Sequence, residues 1–192
     1  MMEQLKTWDQ QLLLFLNQFH TDALDPVAYY LTKTEFWVPL YIYLLYLIFR
    51  DQKKQGWFVL AGVVVCLALT DRITAGLMKP FFHRLRPSHE PGLEGLLHLV
   101  DNYRGGLYGF ASSHAANTFG IAVFIYRLFR PVYRYAWLIF VWATIMTYTR
   151  IYLGVHYPGD ILVGAVLGAL CGYGSFRFQL WLKAKFTRPK KI

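Results

Sequence analysis

The sequence predicts an all-α fold: a polytopic membrane helix bundle with five transmembrane helices and an N-terminal helix lying on the membrane. The chain has 192 residues, of which 56% are hydrophobic and 18% aromatic, more than an ordinary soluble domain of this size carries. Long apolar runs alternate with short connectors, and most Lys and Arg residues flank these runs. No repeat or change in composition marks a boundary, so one domain over residues 1–192 is expected.

The N-terminal segment, Met1–His20, has an apolar stripe at helical spacing and charged residues elsewhere. This pattern is typical of an amphipathic helix at a membrane surface. If the segment instead crosses the membrane, the bundle has six spans and a cytoplasmic N-terminus. Thr21–Pro26 is predicted as a turn, and Val27–Glu35 as interfacial.

Five apolar runs follow and predict the five spans: Phe36–Phe49, Trp57–Met78, His114–Tyr126, Tyr135–Thr149 and Ile161–Phe176. Several are shorter than the roughly 20 helical residues that cross a bilayer core. Flanking Trp, Tyr, Lys and Arg side chains are expected to extend them toward the headgroups.

Basic residues predict the orientation of the bundle. They gather in two connectors and the C-terminal tail: Arg50, Lys53, Lys54, Arg127, Arg130, Arg134, Arg177, Lys183, Lys185, Arg188, Lys190 and Lys191. Because cytoplasmic loops are enriched in Lys and Arg, these segments are placed inside and the polar motifs outside. The net charge of +9 is therefore attributed to membrane flanks rather than to nucleic-acid binding. The expected location is a bacterial inner membrane, with the motifs on the extracytoplasmic face.

The last span carries small residues every four positions, at Asp160, Gly164, Gly168 and Gly172. Such a ridge lets a neighbouring helix approach closely. Packing within the bundle is favoured over dimerisation, because five helices need internal contacts; the oligomeric state stays open.

The polar segment Thr149–Asp160 holds Arg150, His156 and Asp160 between two apolar runs. His156 and Asp160 are four residues apart, the spacing that brings side chains together on a helix. A carboxylate on one imidazole nitrogen raises the basicity of the other, as in a nucleophile or base. The guanidinium of Arg150 suits a phosphate. The alternative is an ion cluster that anchors helix ends.

Two further segments complete a pattern. Lys79-Pro-Phe-Phe-His-Arg-Leu-Arg86-Pro87 is a lysine followed after six residues by Arg-Pro, and Ala111-Ser112-Ser113-His114 is a Ser-x-His. With the third segment they resemble the three-part signature of the type 2 phosphatidic acid phosphatase family, over residues 57–176. That family comprises membrane lipid phosphatases and shares its site with vanadium haloperoxidases. The family usually has Pro-Ser-Gly-His and Ser-Arg where this chain has Ala-Ser-Ser-His and Thr-Arg.

The resemblance implies a role for each motif residue. Phosphate binding falls to Lys79, Arg86, Ser112, Ser113 and Arg150. His156 attacks phosphorus and forms a phosphohistidine, and Asp160 orients it. His114 protonates the leaving oxygen and then activates water. From the sequence, Ser112 also stands where it would cap the third span.

The substrate class follows from the expected location at a membrane surface. A lipid phosphate or diphosphate is expected, such as phosphatidic acid, phosphatidylglycerol phosphate, undecaprenyl diphosphate or lipid A, and the sequence does not choose among them. The loop Gly92–Gly109 is the best candidate for a substrate-selecting lid, and Arg104 within it is a candidate headgroup contact.

Other functions remain as alternatives. A transporter or scaffold without catalysis would explain the cations but not the paired histidines and carboxylate. Vanadate-dependent oxidation uses the same site, but five apolar spans argue against it. The sequence has no His-Glu-x-x-His pair or carboxylate cluster, so no metal and no cofactor are expected. The remaining histidines, His20, His83, His89 and His98, are interpreted as surface or interfacial, and Asp71 and Arg72 as structural.

Overall fold

A computed structural model describes residues 2–187 and shows an all-helical chain within that range. Eight α-helices follow one another: α1 (Met2–Asn17), α2 (Leu24–Leu31), α3 (Val38–Gln52), α4 (Gly56–Asp71), α5 (Lys79–Phe82), α6 (Ser113–Phe129), α7 (Leu138–Tyr152) and α8 (Pro158–Thr187). A π-helical stretch, Arg72–Met78, joins α4 to α5 without a break. An antiparallel bridge between Leu85 and Tyr108 closes the long loop between α5 and α6.

Helices α3, α4, α6, α7 and α8 overlap the five predicted spans, and all of their ends but two differ from the prediction by only a few residues. The largest difference is at α8, which continues from Phe176 to Thr187 because apolar residues still alternate with the cations there. Two stretches, Thr34–Phe82 and Pro158–Thr187, are long and apolar enough to cross a membrane. The first contains both α3 and α4, which meet at Lys53. Arg188, Lys190 and Lys191 lie outside the described residues.

The glycine ridge of α8 packs against α6, as predicted. A Cβ atom at Gly168 or Gly172 would lie 2.1 Å from the carbonyl oxygen of Ala116 or Gly120, respectively. Gly164 makes the same close approach one turn earlier, against the start of α6. Only glycine permits this separation, so the ridge fixes the two helices that carry the Ser-x-His motif and Asp160.

The core lies between α3, α4, α6, α7 and α8. Its largest buried side chains include Phe124, Trp142, Met146, Ile48 and Phe129. This core holds the helices in place, so that the ends of α6, α7 and α8 that carry the motifs meet at one end of the bundle.

The N-terminal helix forms as predicted, and α1 packs on α7 and α8 through Leu13, which is fully buried. Trp8 and Phe15 on its other side are exposed. Its place on the membrane surface stays a prediction. The predicted turn Thr21–Pro26 was wrong at its end, since α2 begins at Leu24 and accommodates Pro26 in its first turn, where a missing N–H costs little.

Candidate active site

The three sequence motifs meet at one end of the bundle. Lys79 begins α5, Arg86 follows it in the loop, and Ser112 and His114 stand at the start of α6. The other three come from the end of α7 and the start of α8: Arg150, His156 and Asp160. Alternating helix directions bring these ends together, although the motifs are separated by up to 80 residues.

His156 lies in the loop before α8, and Asp160 in the first turn of that helix, so the pair forms across a helix start rather than within a helix. His156 Nδ1 is 3.3 Å from Asp160 Oδ2. The same carboxylate oxygen accepts a hydrogen bond from Tyr157 N at 3.2 Å. Because a carboxylate accepts and does not donate, Nδ1 carries the imidazole proton and Nε2 keeps its lone pair.

Arg86 faces that lone pair. Its Nη1 lies 2.8 Å from His156 Nε2 and donates to the carbonyl oxygen of Val155 at 3.2 Å. Burial, and then the charges of Arg86 and Arg150, hold the pKa of His156 well below its usual range. Burial and the charge of Arg150 also lower the pKa of Arg86 to about 10. His156 is therefore a neutral imidazole among cations.

Arg150 approaches the same place from the end of α7. It donates to Thr32 Oγ1 at 2.7 Å and to Tyr103 Oη at 3.3 Å, and its guanidinium lies 5.5 Å from the Tyr103 ring centroid. Although burial disfavours the phenolate, the charge of Arg150 lowers the pKa of Tyr103. Thr32 and Tyr103 belong to none of the three motifs, and no sequence pattern predicted that they would lie at the site.

Arg86 and Arg150 each have a buried Nε–H group without a hydrogen-bond acceptor in the described structure. Arg86 is 8% exposed and Arg150 is 4% exposed, yet the Nε atom of each is buried with no hydrogen-bond partner among residues 2–187. A buried charged donor left unpaired is costly, on the order of 1–3 kcal/mol or more. Two such donors beside one neutral imidazole are suited to an anion with several oxygen atoms, such as phosphate.

Lys79 and the serines form the third side of the site. Lys79 Nζ donates to Ser113 Oγ at 3.0 Å, and Thr74 from the π-helical stretch donates to the same hydroxyl at 2.8 Å. Ser112 is fully buried, and its Oγ accepts from Ala115 N at 3.3 Å, which confirms the predicted cap of α6. Ser112 and Ser113 stand at the N-terminus of α6, and a helix N-terminus favours anions, so this end of α6 adds to the positive potential beside Lys79.

His114 is held by a different partner from that of His156. Its Nε2 lies 3.0 Å from the carbonyl oxygen of Thr32. A carbonyl can only accept, so Nε2 carries the proton and Nδ1 is the nitrogen free to exchange one. Thr32 thus fixes both His114, through its carbonyl, and Arg150, through its hydroxyl.

Two glycines of the long loop lie directly over the site, and the sequence reasoning missed their role. A Cβ at Gly105 would lie 3.2 Å from Arg86 Nη1, and one at Gly109 would lie 2.9 Å from Asp160 Oδ2. Side chains there would enter the space beside Arg86 and Asp160. The predicted lid loop therefore reaches the site through its backbone.

Comparison with known proteins identifies the family. Residues 57–184, two thirds of the chain, match the family model of the PAP2 superfamily. The chain belongs to the PAP2 superfamily. It is therefore a membrane lipid phosphatase, and the resemblance seen in the three motifs is confirmed.

Individual relatives extend the match beyond that segment. The chain is 41% identical to the lipid A 4'-phosphatase of Bacteroides thetaiotaomicron over 186 residues, which are 93% of this chain and 78% of the relative. It is 32% identical to the lipid A 4'-phosphatase of Porphyromonas gingivalis over 186 residues, 96% of this chain and 78% of that protein. The crystal structure of Aquifex aeolicus LpxE superposes with a TM-score of 0.68 at 26% identity, over 88% of this chain and 94% of the other.

An apolar cavity of about 420 Å³ opens beside the site of this PAP2 phosphatase. His114 and Thr34 line the end of the cavity nearest the site, and Ile48, Ile125 and Met146 line the end farthest from it. The cavity follows α6 from His114 to Ile125, about 16 Å at the helical rise per residue. It lies between α3, α4, α6 and α7, within the apolar bundle.

Other polar residues of this PAP2 chain have partners outside the site. Arg104 donates to the carbonyl oxygen of Ser88 at 3.2 Å, so a headgroup contact by Arg104 stays a prediction. Asp71 accepts from Asn117 on α6 at 3.0 Å, so of the two structural partners that the sequence left open for it, Arg72 or a neighbouring helix, it bonds to a neighbouring helix. His98 binds the carboxylate of Asp25 at 2.9 Å.

Metal ligands do not gather in the part of the chain that the structure describes. Within residues 2–187, no group of three or more His, Cys, Asp or Glu side chains is placed to hold an ion. Around His156, one carboxylate, that of Asp160, faces the positive charges of Arg86, Arg150 and Lys79.

Proposed function

We propose that this phosphatase hydrolyses a phosphate monoester of a glycolipid of the lipid A class and releases inorganic phosphate, through a phosphohistidine at His156. The observation that carries the proposal is the pair of buried, unpartnered Nε–H donors of Arg86 and Arg150 beside a neutral imidazole. Both arginines act electrostatically on His156, so their free Nε–H groups would be available to a phosphate bound beside that ring. Lys79 supplies a third positive charge.

The first step transfers the phosphoryl group to the enzyme. His156 Nε2 attacks phosphorus in line while the bond from phosphorus to the lipid oxygen breaks. His114, in its protonated form, gives a proton from Nδ1 to that oxygen, and the lipid leaves as an alcohol. Asp160 retains the Nδ1 proton of His156 and stabilises the positive imidazole of the intermediate.

The second step returns the enzyme to its starting state. His114, now neutral, takes a proton from a water molecule, whose oxygen attacks phosphorus. The bond from phosphorus to His156 Nε2 breaks, and inorganic phosphate leaves. Arg86, Arg150 and Lys79 bind the developing negative charge in both steps, so we propose that the reaction needs no metal.

The substrate class rests on the relatives and the cavity. The two relatives described above are both named lipid A 4'-phosphatases and align with nearly the whole chain. The 420 Å³ cavity beside His114 would accept one acyl chain while the phosphate lies among the cations. Phosphatidic acid, phosphatidylglycerol phosphate and undecaprenyl diphosphate remain the competing substrates.

The location of the site is part of the proposal. We infer one domain over residues 1–192, with α3, α4, α6, α7 and α8 as five spans and α1 on the outer surface. The positive-inside rule places the connectors at Lys53 and Arg130 in the cytoplasm. The active site would then face the periplasm of a bacterial inner membrane.

A phospholipid transporter or scaffold without catalysis is the second candidate. It would account for the cations, but it gives no reason for the bond that fixes the tautomer of His156 through Asp160. A binding site gains nothing from an imidazole held with its lone pair facing the ligand.

The experiment that tests the proposal compares four lipids with one preparation in EDTA: lipid A, phosphatidic acid, phosphatidylglycerol phosphate and undecaprenyl diphosphate. Free phosphate is measured, and mass spectrometry locates the phosphate lost from lipid A. We expect lipid A to react fastest and to lose its 4'-phosphate. Faster release from another lipid would reassign the substrate, and no release from any would favour the binding protein.

A further inference from the structure

Arg84 joins the catalytic carboxylate to the N-terminal helix. Its Nη1 donates to Asp160 Oδ1 at 2.8 Å, and its Nη2 donates to Asp9 Oδ2 at 2.7 Å. The guanidinium is also stacked 4.1 Å from the ring centroid of Tyr157. One arginine is thus shared between the carboxylate that orients His156 and a carboxylate of α1.

Asp9 has a second contact with the same region. Its Oδ1 accepts a hydrogen bond from Gly159 N at 2.7 Å, at the start of α8. A Cβ at Gly159 would lie 2.7 Å from Asp9 Oδ2, so glycine allows this approach. Asp9 therefore holds both Arg84 and the helix turn that carries Asp160.

The far end of α1 is fastened to the same catalytic loop. Asn17, which is 2% exposed, donates to the carbonyl oxygens of Tyr152 at 2.8 Å and Ile151 at 3.2 Å. These carbonyls belong to the last two residues of α7, one and two positions after Arg150. Helix α1 thus contacts both ends of the loop between Arg150 and Asp160, although it lies outside the segment that matches the family model.

We propose that helix α1 is part of the active site, and that Asp9 and Arg84 are positioning residues that hold Asp160 against His156. The inference rests on the roles proposed above for His156 and Asp160. Arg84 fixes Asp160 Oδ1, which leaves Oδ2 aimed at His156 Nδ1. Asp9 fixes Arg84 from its other side.

Sharing the arginine also sets how much negative charge Asp160 offers to His156. With Asp9 present, the single charge of Arg84 is divided between two carboxylates. Without Asp9, Arg84 would neutralise Asp160 more fully, and the positive imidazole of the phosphohistidine would lose stabilisation. Among residues 2–187, the side-chain hydrogen bonds of Lys79 and Arg150, two of the proposed phosphate-binding residues, go to Ser113, Thr32 and Tyr103 and not to Arg84 or Asp9, so substrate affinity should not change.

The test is Asp9→Asn. The amide oxygen of the variant can still accept from Gly159 N, so α1 keeps its place, but the charge that holds Arg84 is gone. Single-turnover rates with enzyme in excess report the chemical step independently of the fraction of folded protein. We expect about a tenfold lower rate, the size of a typical coupling between groups in one network, with an unchanged half-saturation concentration.

Glu3→Gln is the matched control. Glu3 lies on the same helix and pairs at 3.2 Å with Lys6 on its exposed side, away from the site. It should leave the single-turnover rate as in the wild-type protein. A full rate in Asp9→Asn, or a loss that appears equally in Glu3→Gln, would overturn the proposal.

A double-mutant cycle with Asp160→Asn separates this proposal from the mechanism beneath it. If Asp9 acts through Asp160, Asp9→Asn should cost nothing further in the Asp160→Asn background. An equal loss in both backgrounds would overturn the relay while leaving the role of Asp160 intact. If Asp160→Asn and His156→Ala themselves had no effect, the proposed mechanism would fall first. The assays use lipid A, or phosphatidic acid if the wild-type protein hydrolyses that instead.

Discussion

His156 and His114 each have one nitrogen fixed by an acceptor, but the acceptors differ in charge. His156 is bonded to the buried carboxylate of Asp160, and His114 to the neutral carbonyl of Thr32. A carboxylate stabilises a lasting positive charge on the ring, as a phosphohistidine requires. A carbonyl fixes orientation and leaves the ring free to pass a proton.

This difference predicts the effects of two substitutions. His156→Ala should abolish phosphate release and any acid-labile phosphoprotein, because it removes the attacking nitrogen. Asp160→Asn should leave a slower enzyme, since the attacking nitrogen remains. Phosphate release and trapping of labelled phosphoprotein measure both effects. Near-normal turnover in His156→Ala would show that the covalent mechanism is wrong.

The general-acid role proposed for His114 predicts a dependence on the leaving group. When a lipid monophosphate is hydrolysed, the leaving group is an alkoxide, which needs a proton. When a lipid diphosphate is hydrolysed, the leaving group is the lipid monophosphate, which is already a stable anion. General acid catalysis is worth about 10²–10⁴-fold. His114→Ala should therefore slow monophosphate hydrolysis much more than diphosphate hydrolysis, in single-turnover rates measured on both.

His156→Ala is the control for that comparison, because both substrates need the same attack. If His114→Ala slowed the two substrates equally, His114 would instead hold the phosphate or activate water in the second step.

The unpartnered Nε–H groups predict how an inhibitor binds. Vanadate, which can take the five-coordinate shape of the transferring phosphoryl group, should inhibit enzyme that was treated with EDTA and then freed of the chelator before the assay. Arg150→Lys keeps the charge but removes the Nε donor, so inhibition should weaken about tenfold or more, the value of a charged hydrogen bond. Vanadate should inhibit Arg104→Lys as strongly as the wild-type protein, because Arg104 is hydrogen-bonded to Ser88 instead. Restoration of EDTA-lost turnover by Mg²⁺ or Zn²⁺ would contradict the metal-free site.

At the level of single residues, the sequence predicted the ionisable residues of the site but not the residues that hold them in position. His156, Asp160 and Arg150 could be found because ionisable residues between apolar runs are costly and need a reason. Thr32 acts through a backbone carbonyl, and Gly109 through the absence of a side chain. Neither property leaves a pattern in the sequence. Arg84 lay inside the first motif, but its partner Asp9 is 75 residues away.

Among the secondary-structure elements, α8 shows how packing serves the site. Its glycines lie against the backbone of α6, which places Asp160 beside Ser112, whose backbone N–H donates to the carbonyl oxygen of Asp160 at 3.0 Å. The four-residue repeat predicted a close contact with a neighbouring helix, because small residues at that spacing let helices approach closely, but it did not name α6 as the partner. Helix ends were harder to predict, since polar side chains at a membrane surface can continue a helix or end it.

The ridge predicts a contrast between two glycines of α8. Gly168→Ala would place a methyl group 2.1 Å from the carbonyl oxygen of Ala116 and push the helices apart. Overpacking of this kind typically costs about 1–3 kcal/mol. We expect a lower unfolding temperature in detergent micelles and reduced phosphate release. Gly174→Ala is the control, because apart from its own helix backbone no atom of the described residues lies within 4 Å of its Cβ position. Equal stability of the two variants would show that α6 and α8 are not held by this contact.

For the whole molecule, the sequence predicts which side of the membrane each loop occupies, and the helix order can be tested against it. If α3, α4, α6, α7 and α8 all span, the connector at Lys54 and the loop at Gly92 lie on opposite sides. The positive-inside rule places Lys54 in the cytoplasm and Gly92 outside. The helical lengths alone do not decide this, because α6 and α7 have only 17 and 15 residues.

Single cysteines at these two positions test the prediction, in a background with Cys66→Ala and Cys171→Ala. A membrane-impermeant thiol reagent applied to intact cells should label Gly92→Cys and leave Lys54→Cys unlabelled until the membrane is opened. Gly92 has no atom within 4 Å of its Cβ position, so the new thiol is accessible. Phosphate release by both variants confirms that they fold. Labelling of Lys54→Cys alone in intact cells would reverse the orientation and move the active site to the cytoplasmic face, whereas labelling of both would mean an even number of spans between them.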